Sequence, residues 1–407
     1  MKKLLTIISG LGILSATTST VVACGNKDEE LRIVFIPSNE ATSVINTVKP
    51  LEQKLTNELK TLAESRGETF KKKVVISTST NYEAAGQSLQ AGKAALAFLP
   101  IGTYNQYKGT KQADNRYSDL GFLLNSTRDA TIIEHDYFKD DQGDWNNKAL
   151  RELEAKDSLA LAKNYNDHLS INEQDNKETI QEKLTTSEAH ATYYRSYIYA
   201  NNKYLEANPI DWNSDEAYKE SIKKLVLSDE GKNFSLSASK TSSAGMIYPL
   251  MWLKNTIGLN NEEIVKVYHN AQTQSSYPDV ASKLGTGQTK MAVGYSDIRI
   301  EIKDNQELTK AFNNSQVVGV SEGILNDGIA YSRKALKNQT ALITDLRTAF
   351  QDLVSKPENK EIFDVYKHSG YNGPGEEDAS KWEASLDQNI DLNSVKAQEI
   401  MNLIKGL

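Results

Sequence analysis

The sequence predicts an α/β protein folded as a two-lobed clamshell with a hinge, and three observations predict it. Residues 31–100 alternate short apolar runs rich in β-branched residues with segments of helical spacing, and a second such set follows residue 192. That alternation is the pattern of sheets built by helical crossovers. The stretch 129–191 between them is polar, acidic and rich in Asn, Asp, Lys and Glu. After the second set, Gln316–Val320 and Gly328–Tyr331 read as strands that lead back, so the chain crosses out of one body and returns to it. A length of 407 residues suits two bodies better than one, and no internal repeat suggests a solenoid.

Taken in order, the chain opens with Lys2 and Lys3, an apolar run, and a Ser/Thr stretch ending Val21-Val22-Ala23-Cys24. This is the layout of a secretory leader, residues 1–24. Cys24 is the sole cysteine, so it has no disulfide partner within the chain. Residues 25–30 read as a polar tether. No other apolar run approaches the ~20 residues that cross a bilayer.

Arg32–Ile36 reads as a buried strand stopped by Pro37-Ser38-Asn39. Ile45, Val48, Leu51, Leu55, Leu59 and Leu62 then lie three and four apart, one apolar stripe of a helix, with Pro50 marking a kink or a restart. Val74–Ile76 is a second strand, Tyr82–Leu89 a short helix ended at Gly92, and Ala94–Leu99 a third strand stopped by Pro100. Ligands in such sheets sit at the carboxyl ends of the strands. Ser38, Tyr82 and Tyr104 are therefore expected at a cleft, where a phenol can donate to an anion or stack on a ring.

The polar stretch 129–191 reads as an insertion with one helix near Lys148–Leu161 and no clear strand. Tyr193–Tyr199 resumes strand character, and 192–321 form the second lobe. Residues 31–128 with 322–407 form the first, its tail helical from Ala335 to Val365.

Composition bounds the ligand. Formal charge is −7, and loss of the leader with Lys2 and Lys3 makes it two charges more negative, which excludes a nucleic-acid binder and requires that any anion be gripped by local groups. Ser239, Thr241, Ser242 and Ser243 supply such groups, because the run Phe234–Leu253 changes there from strand-like alternation to a bulky apolar helix. A helix N-terminus offers unpaired amides and partial positive charge, hydroxyls add donors, and Ala244-Gly245 permits close approach. Ser and Thr are also favoured as plain helix caps.

Leu31–Ser38, Tyr82–Lys93, Ala95–Pro100 with Tyr104, Ser239–Pro249 and Leu325–Ala330 together resemble, in order and spacing, the phosphate/phosphonate-binding lipoproteins of ABC importers. The end of the leader resembles their lipobox, whose cysteine becomes the lipidated first residue. More remotely, the long insertion and Gly370–Gly373 resemble mycoplasma-type thiamine-phosphate-binding lipoproteins. The resemblance implies a periplasmic-binding-protein-like clamshell on the outer face of the bacterial cytoplasmic membrane, anchored through Cys24. It implies a monomer that closes on a small phosphonate or phosphate ester and delivers it to an ABC permease. By the same resemblance, Asp297 and Asp327 match acids that meet a ligand amine, and Tyr277 stands where the family often has histidine.

No enzyme constellation accompanies these residues. His135, His168, His190, His269 and His368 are scattered without metal-ligand spacing; Glu134-His135-Asp136 is the one run that could hold a metal. Neither a Gly-x-Ser-x-Gly elbow nor a phosphate-binding Gly-rich loop occurs, and no cofactor is called for. A secreted phosphohydrolase and a surface adhesin remain the alternatives; an adhesin predicts an empty or closed cleft and a binding surface on the insertion. If Cys24 carries the anchor, Cys24→Ser releases the protein from the membrane fraction into the medium, and retention in that fraction refutes the anchor.

Overall fold

In the computed structural model, the described residues are 29–36, 41–139, 149–150, 153–228, 234–274, 276–375 and 378–405. Cys24, the leader and Ser38 lie outside them. Among the described residues fourteen strands occur: β1 Glu30–Phe35, β2 Lys73–Thr78, β3 Leu96–Leu99, β4 Leu120–Thr131, β5 Thr185–Ala191, β6 Tyr193–Tyr194, β7 Ser196–Asn201, β8 Phe234–Ser237, β9 Gln272–Gln274, β10 Met291–Tyr295, β11 Ser315–Val320, β12 Ile324–Leu325, β13 Gly328–Ser332 and β14 Gly370–Asn372.

The first lobe is one sheet in the order β2-β1-β3-β13-β4-β14, with β5 added beside β4. β1 pairs in parallel with both β2 and β3, as helical crossovers require, and the returning β13 lies antiparallel to β3 and β4. The expected helix over 45–62 divides at Pro50 into Ala41–Val48 and Leu51–Ser65, because proline fits a first helical turn but breaks an interior one. Leu51, Leu55 and Leu59 are fully buried against the sheet. Asn81 caps Tyr82–Gln90 by accepting from the Ala84 amide.

The second lobe is a sheet in the order β11-β7-β10-β8-β9. The insertion is not a separate body: its helix Ala155–His168 closes the outer edge of β11 with side chains. Asn166 donates to the Val317 carbonyl (2.8 Å) and accepts from the Val317 amide (3.0 Å), and Ser158 does the same at Val320. An open strand edge is thereby satisfied without another strand. The insertion also differs from expectation in containing β5, antiparallel to β4, and in placing this helix later than Lys148–Leu161.

Two crossings join the lobes, and they lie side by side. Asn125 donates to the Asn326 carbonyl (2.7 Å), while buried Asn326 donates to the carbonyls of Ser126 (2.9 Å) and Ala191 (2.8 Å). The ribbon β6–β12 completes the hinge. Arg195, between β6 and β7, holds the insertion to it through Glu134 (2.8 Å) and the carbonyls of Ser321 and Ala149. Glu134, also bonded by Tyr197, is thus committed to a buried ion pair rather than to a metal.

The C-terminal helix Ala379–Lys405 packs on both lobes. Its acids face the first: Tyr331 and Arg333 bind Glu383, Tyr104 donates to Asp387 (2.7 Å), and Lys108, Lys111 and Tyr117 converge on Asp391. Ile400, Met401 and Ile404 then enter the second lobe's core, where Lys240 donates to the Ile404 carbonyl (3.0 Å).

Burial, opposed by the Tyr104 hydroxyl and assisted by Glu383, pushes the Asp387 carboxyl up to about 7. Between roughly pH 4 and 7 the folded chain keeps a proton there that the unfolded chain has lost, so this group favours folding at the acidic end and opposes it as pH rises through 7. Asp387→Asn keeps an acceptor for Tyr104 and no charge. The variant is expected to have a higher urea midpoint than the wild type at pH 8, with the gain shrinking toward pH 4; equal midpoints at pH 8 refute the assignment.

Candidate functional site between the lobes

The carboxyl ends of β1 and β3 bring Ile36 and Pro100 to the cleft, and the start of the helix after β2 brings Tyr82, as the crossover pattern requires. Opposite them the second lobe presents Ser242, Ser243 and Ala244, with Tyr277 and Tyr295 beside them. The crossings contribute Arg128, Tyr194 and Asp327, and Tyr366 closes one side. Together these line a cavity of about 40 Å³, room for about three water-sized groups.

One helix runs from Ser243 to Ile257, with π turns at Ser243–Ile247 and Trp252–Ile257 around the α turn Tyr248–Met251. Pro249 explains the first π turn. In an α-helix its ring would strike the carbonyl four residues back, and the wider turn moves that carbonyl away. The Ser242 hydroxyl caps the helix by accepting from the Gly245 amide (3.3 Å), and the Ser242 carbonyl takes the amides of Met246 and Ile247. The amides of Ser243 and Ala244 belong to the first turn, where no intrahelical acceptor exists. The Ser243 hydroxyl is buried without a partner. Gly245 is needed for packing rather than for ligand approach: a Cβ there would meet Ser237 and Ser242 at 2.8 Å.

Arg128 is the residue the sequence did not disclose. Its guanidinium is buried, lies 4.5 Å from the Tyr194 ring centroid and 5.7 Å from that of Tyr295, and reaches Asp327 only at 3.7 Å. Nε and Nη1 have no hydrogen-bond partner. A buried cation in this condition is costly. Asp327 accepts from Tyr194 (3.0 Å), and burial raises its carboxyl pKa against the pull of Arg128. Burial also pushes the Tyr277 hydroxyl up to about 12 and raises that of Tyr82, so both phenols are donors at neutral pH. Tyr277 hydrogen-bonds Ser242.

Of the residues singled out from sequence, Tyr82, Ser242, Ser243, Tyr277 and Asp327 meet at this cavity. Four others do not line it. Ser239 and Thr241 donate to Glu83 of the first lobe (2.8 and 3.1 Å), and Thr241 lies 3.3 Å from the Thr103 hydroxyl, so these two hydroxyls fasten lobe to lobe. Tyr104 is wholly buried and points to Asp387 instead of the cleft. Asp297 is consumed by Arg299 (2.9 and 2.7 Å) and the Tyr165 hydroxyl (2.6 Å). It has no capacity left for a ligand amine. Its partner two residues along was the signal that could have revealed this.

Residues 172–379 match the family described as ABC transporter, phosphonate, periplasmic substrate-binding protein. No curated protein sequence matches the chain. Among solved structures, the chain is similar to the Mycoplasma hyorhinis protein Mh-p37, a proposed thiamine pyrophosphate transporter, at 15% identity and a TM-score of 0.59, over 84% of this chain and 94% of that one. It is similar to PhnD1 from Prochlorococcus marinus in complex with methylphosphonate at 13% identity and 0.53, over 91% and 99%. XAC2383 from Xanthomonas citri bound to ATP gives 11% and 0.51, over 92% and 99%. These likenesses carry the fold, that of periplasmic binding proteins. Half of the chain, from within the insertion through the second lobe and the return crossing to the start of the C-terminal helix, fits a single family, and the protein belongs to the phosphonate substrate-binding proteins of ABC transporters.

Proposed function

We propose that the cavity between the lobes grips the tetrahedral head of a phosphonate or phosphate ester, and that the protein, tethered through Cys24, hands this solute to a membrane permease. The observation that carries the reading is the Arg128 guanidinium, buried with Nε and Nη1 unpaired beside the unpaired Ser243 hydroxyl. Around one oxyanion these groups, the first-turn amides of Ser243 and Ala244, and the phenols of Tyr82 and Tyr277 supply donors from both lobes. Contacts that exist only when both lobes engage the ligand shift the population toward closure. Asp327, 3.7 Å from Arg128 and bonded by the Tyr194 hydroxyl, sits beside the anion site, which suits a ligand that also carries an amine or another donor.

Hydrogen bonds to a charged group are worth about 1.5–3 kcal/mol each. Arg128→Met, which loses two, is expected to weaken methylphosphonate or phosphate-ester binding by about a hundredfold or more in calorimetry. Ser242→Ala with Ser243→Ala weakens binding by at least about tenfold. Asp327→Asn weakens an aminoalkylphosphonate and leaves inorganic phosphate unchanged or slightly improved. Unaltered affinity in Arg128→Met places the head group elsewhere and overturns the reading.

A further inference from the structure

A second cavity, of about 350 Å³, adjoins the anion cavity and shares Arg128 and Tyr295 with it. Its walls come from three sources: Tyr295, Ser296 and Ile300 of the second lobe, Lys360, Phe363 and His368 of the first, and Gln181, Thr185 and His190 of the insertion. Its volume falls in the range of sites that enclose an organic molecule, whereas the inner cavity holds a head group and little else.

We infer that this cavity receives the organic part of the ligand, so that the solute is an organic phosphate or phosphonate ester of about nucleotide size, bearing an aromatic ring, and not inorganic phosphate or a one-carbon phosphonate. The inference rests on the Arg128–Ser243 head-group site proposed above. Arg128 lies where the two cavities meet, so an oxyanion held by it projects its ester substituent into the larger one. Tyr197, Tyr295, Phe363 and His368 give that space aromatic walls. His368 is nine-tenths buried or more, its Nδ1 is 3.0 Å from the Tyr371 hydroxyl, and its Nε2 has no partner. Burial, with Arg128 nearby, lowers its pKa well below the usual imidazole range, so this wall presents a neutral ring. Lys367 of the first lobe faces Glu301 of the second at 3.8 Å among the cavity walls. Backbone conformation agrees. Among the described residues four non-glycines have positive φ; two are asparagines, which tolerate it, and the other two, Ser296 (48°) and Lys367 (59°), both line this cavity. The insertion thereby gains a task, since without it one wall is missing.

The test titrates the mature chain with inorganic phosphate, methylphosphonate, adenosine 5′-monophosphate and thiamine monophosphate, and repeats this with Thr185→Trp and, separately, Gln181→Trp, half-exposed positions where an indole fills the large cavity and spares the small one. At least one ester is expected to bind about tenfold or more tighter than methylphosphonate, and each variant to remove about tenfold or more of that affinity while changing methylphosphonate by less than about twofold. Methylphosphonate binding as tightly as every ester, or ester affinity untouched in both variants, overturns the inference and leaves the head-group site standing. Failure of every phosphorus compound to bind the wild type overturns the head-group site and this inference with it.

Discussion

Closing two lobes over a guanidinium whose one nearby anion, Asp327, stands too far off to hydrogen-bond it is the constraint on which the cleft depends. Taking such a cation out of water costs several kcal/mol even after relaxation. Stacking on Tyr194 and Tyr295 returns a fraction of that, and Asp327 at 3.7 Å is beyond hydrogen-bond range. The remainder has to come from outside the chain. An oxyanion bound as proposed would relieve that penalty, which is how the arrangement would couple binding to closure. The helix N-terminus opposite adds donors that carry no whole charge, and the chain's negative net charge keeps unselected anions from accumulating at the mouth.

The hydroxyl-rich turn before that helix divides its labour by position. Ser239 and Thr241 reach Glu83 across the cleft, and Ser242 and Ser243 face the cavity. A cluster that looks uniform in sequence therefore serves two purposes in space. Gly102 shows how tight the lobe contact is: a Cβ there would lie 2.6 Å from the Thr241 carbonyl. The lobe-to-lobe contact and the candidate site thus lie on one continuous turn, two residues apart.

Much of this was legible in the chain because it depends on local pattern. Buried β-branched runs marked β1, β2 and β11, a short apolar run before Pro100 marked β3, the spacing of Leu51, Leu55 and Leu59 marked a helix, and the shift at Ser242 marked a helix start. What escaped depends on distant partners. Tyr104 looks like a cleft phenol until the helix bearing Asp387, 283 residues away, is docked against it. Arg128 stands in a polar run that carries no periodicity and reads as the edge of an insertion; only the pairing of β4 with β5 and β14 shows it to be in a sheet. β5 itself, Thr185–Ala191, is largely exposed, so it has no apolar alternation to announce it. Glu383, Asp387 and Asp391 stand four apart and declare one acidic helix face, but nothing near them in sequence says that Arg333, Lys108 and Lys111 will meet it.

The C-terminal helix has a kinetic consequence. Its first half is moored to the first lobe by buried carboxylates and its second half to the other lobe by apolar side chains, so the lobes cannot swing apart as freely as a bare hinge would allow. One mooring must slip or the helix must bend. Residence time in the cleft is then governed partly by a strap remote from the solute, and affinity and exchange rate become separately adjustable quantities.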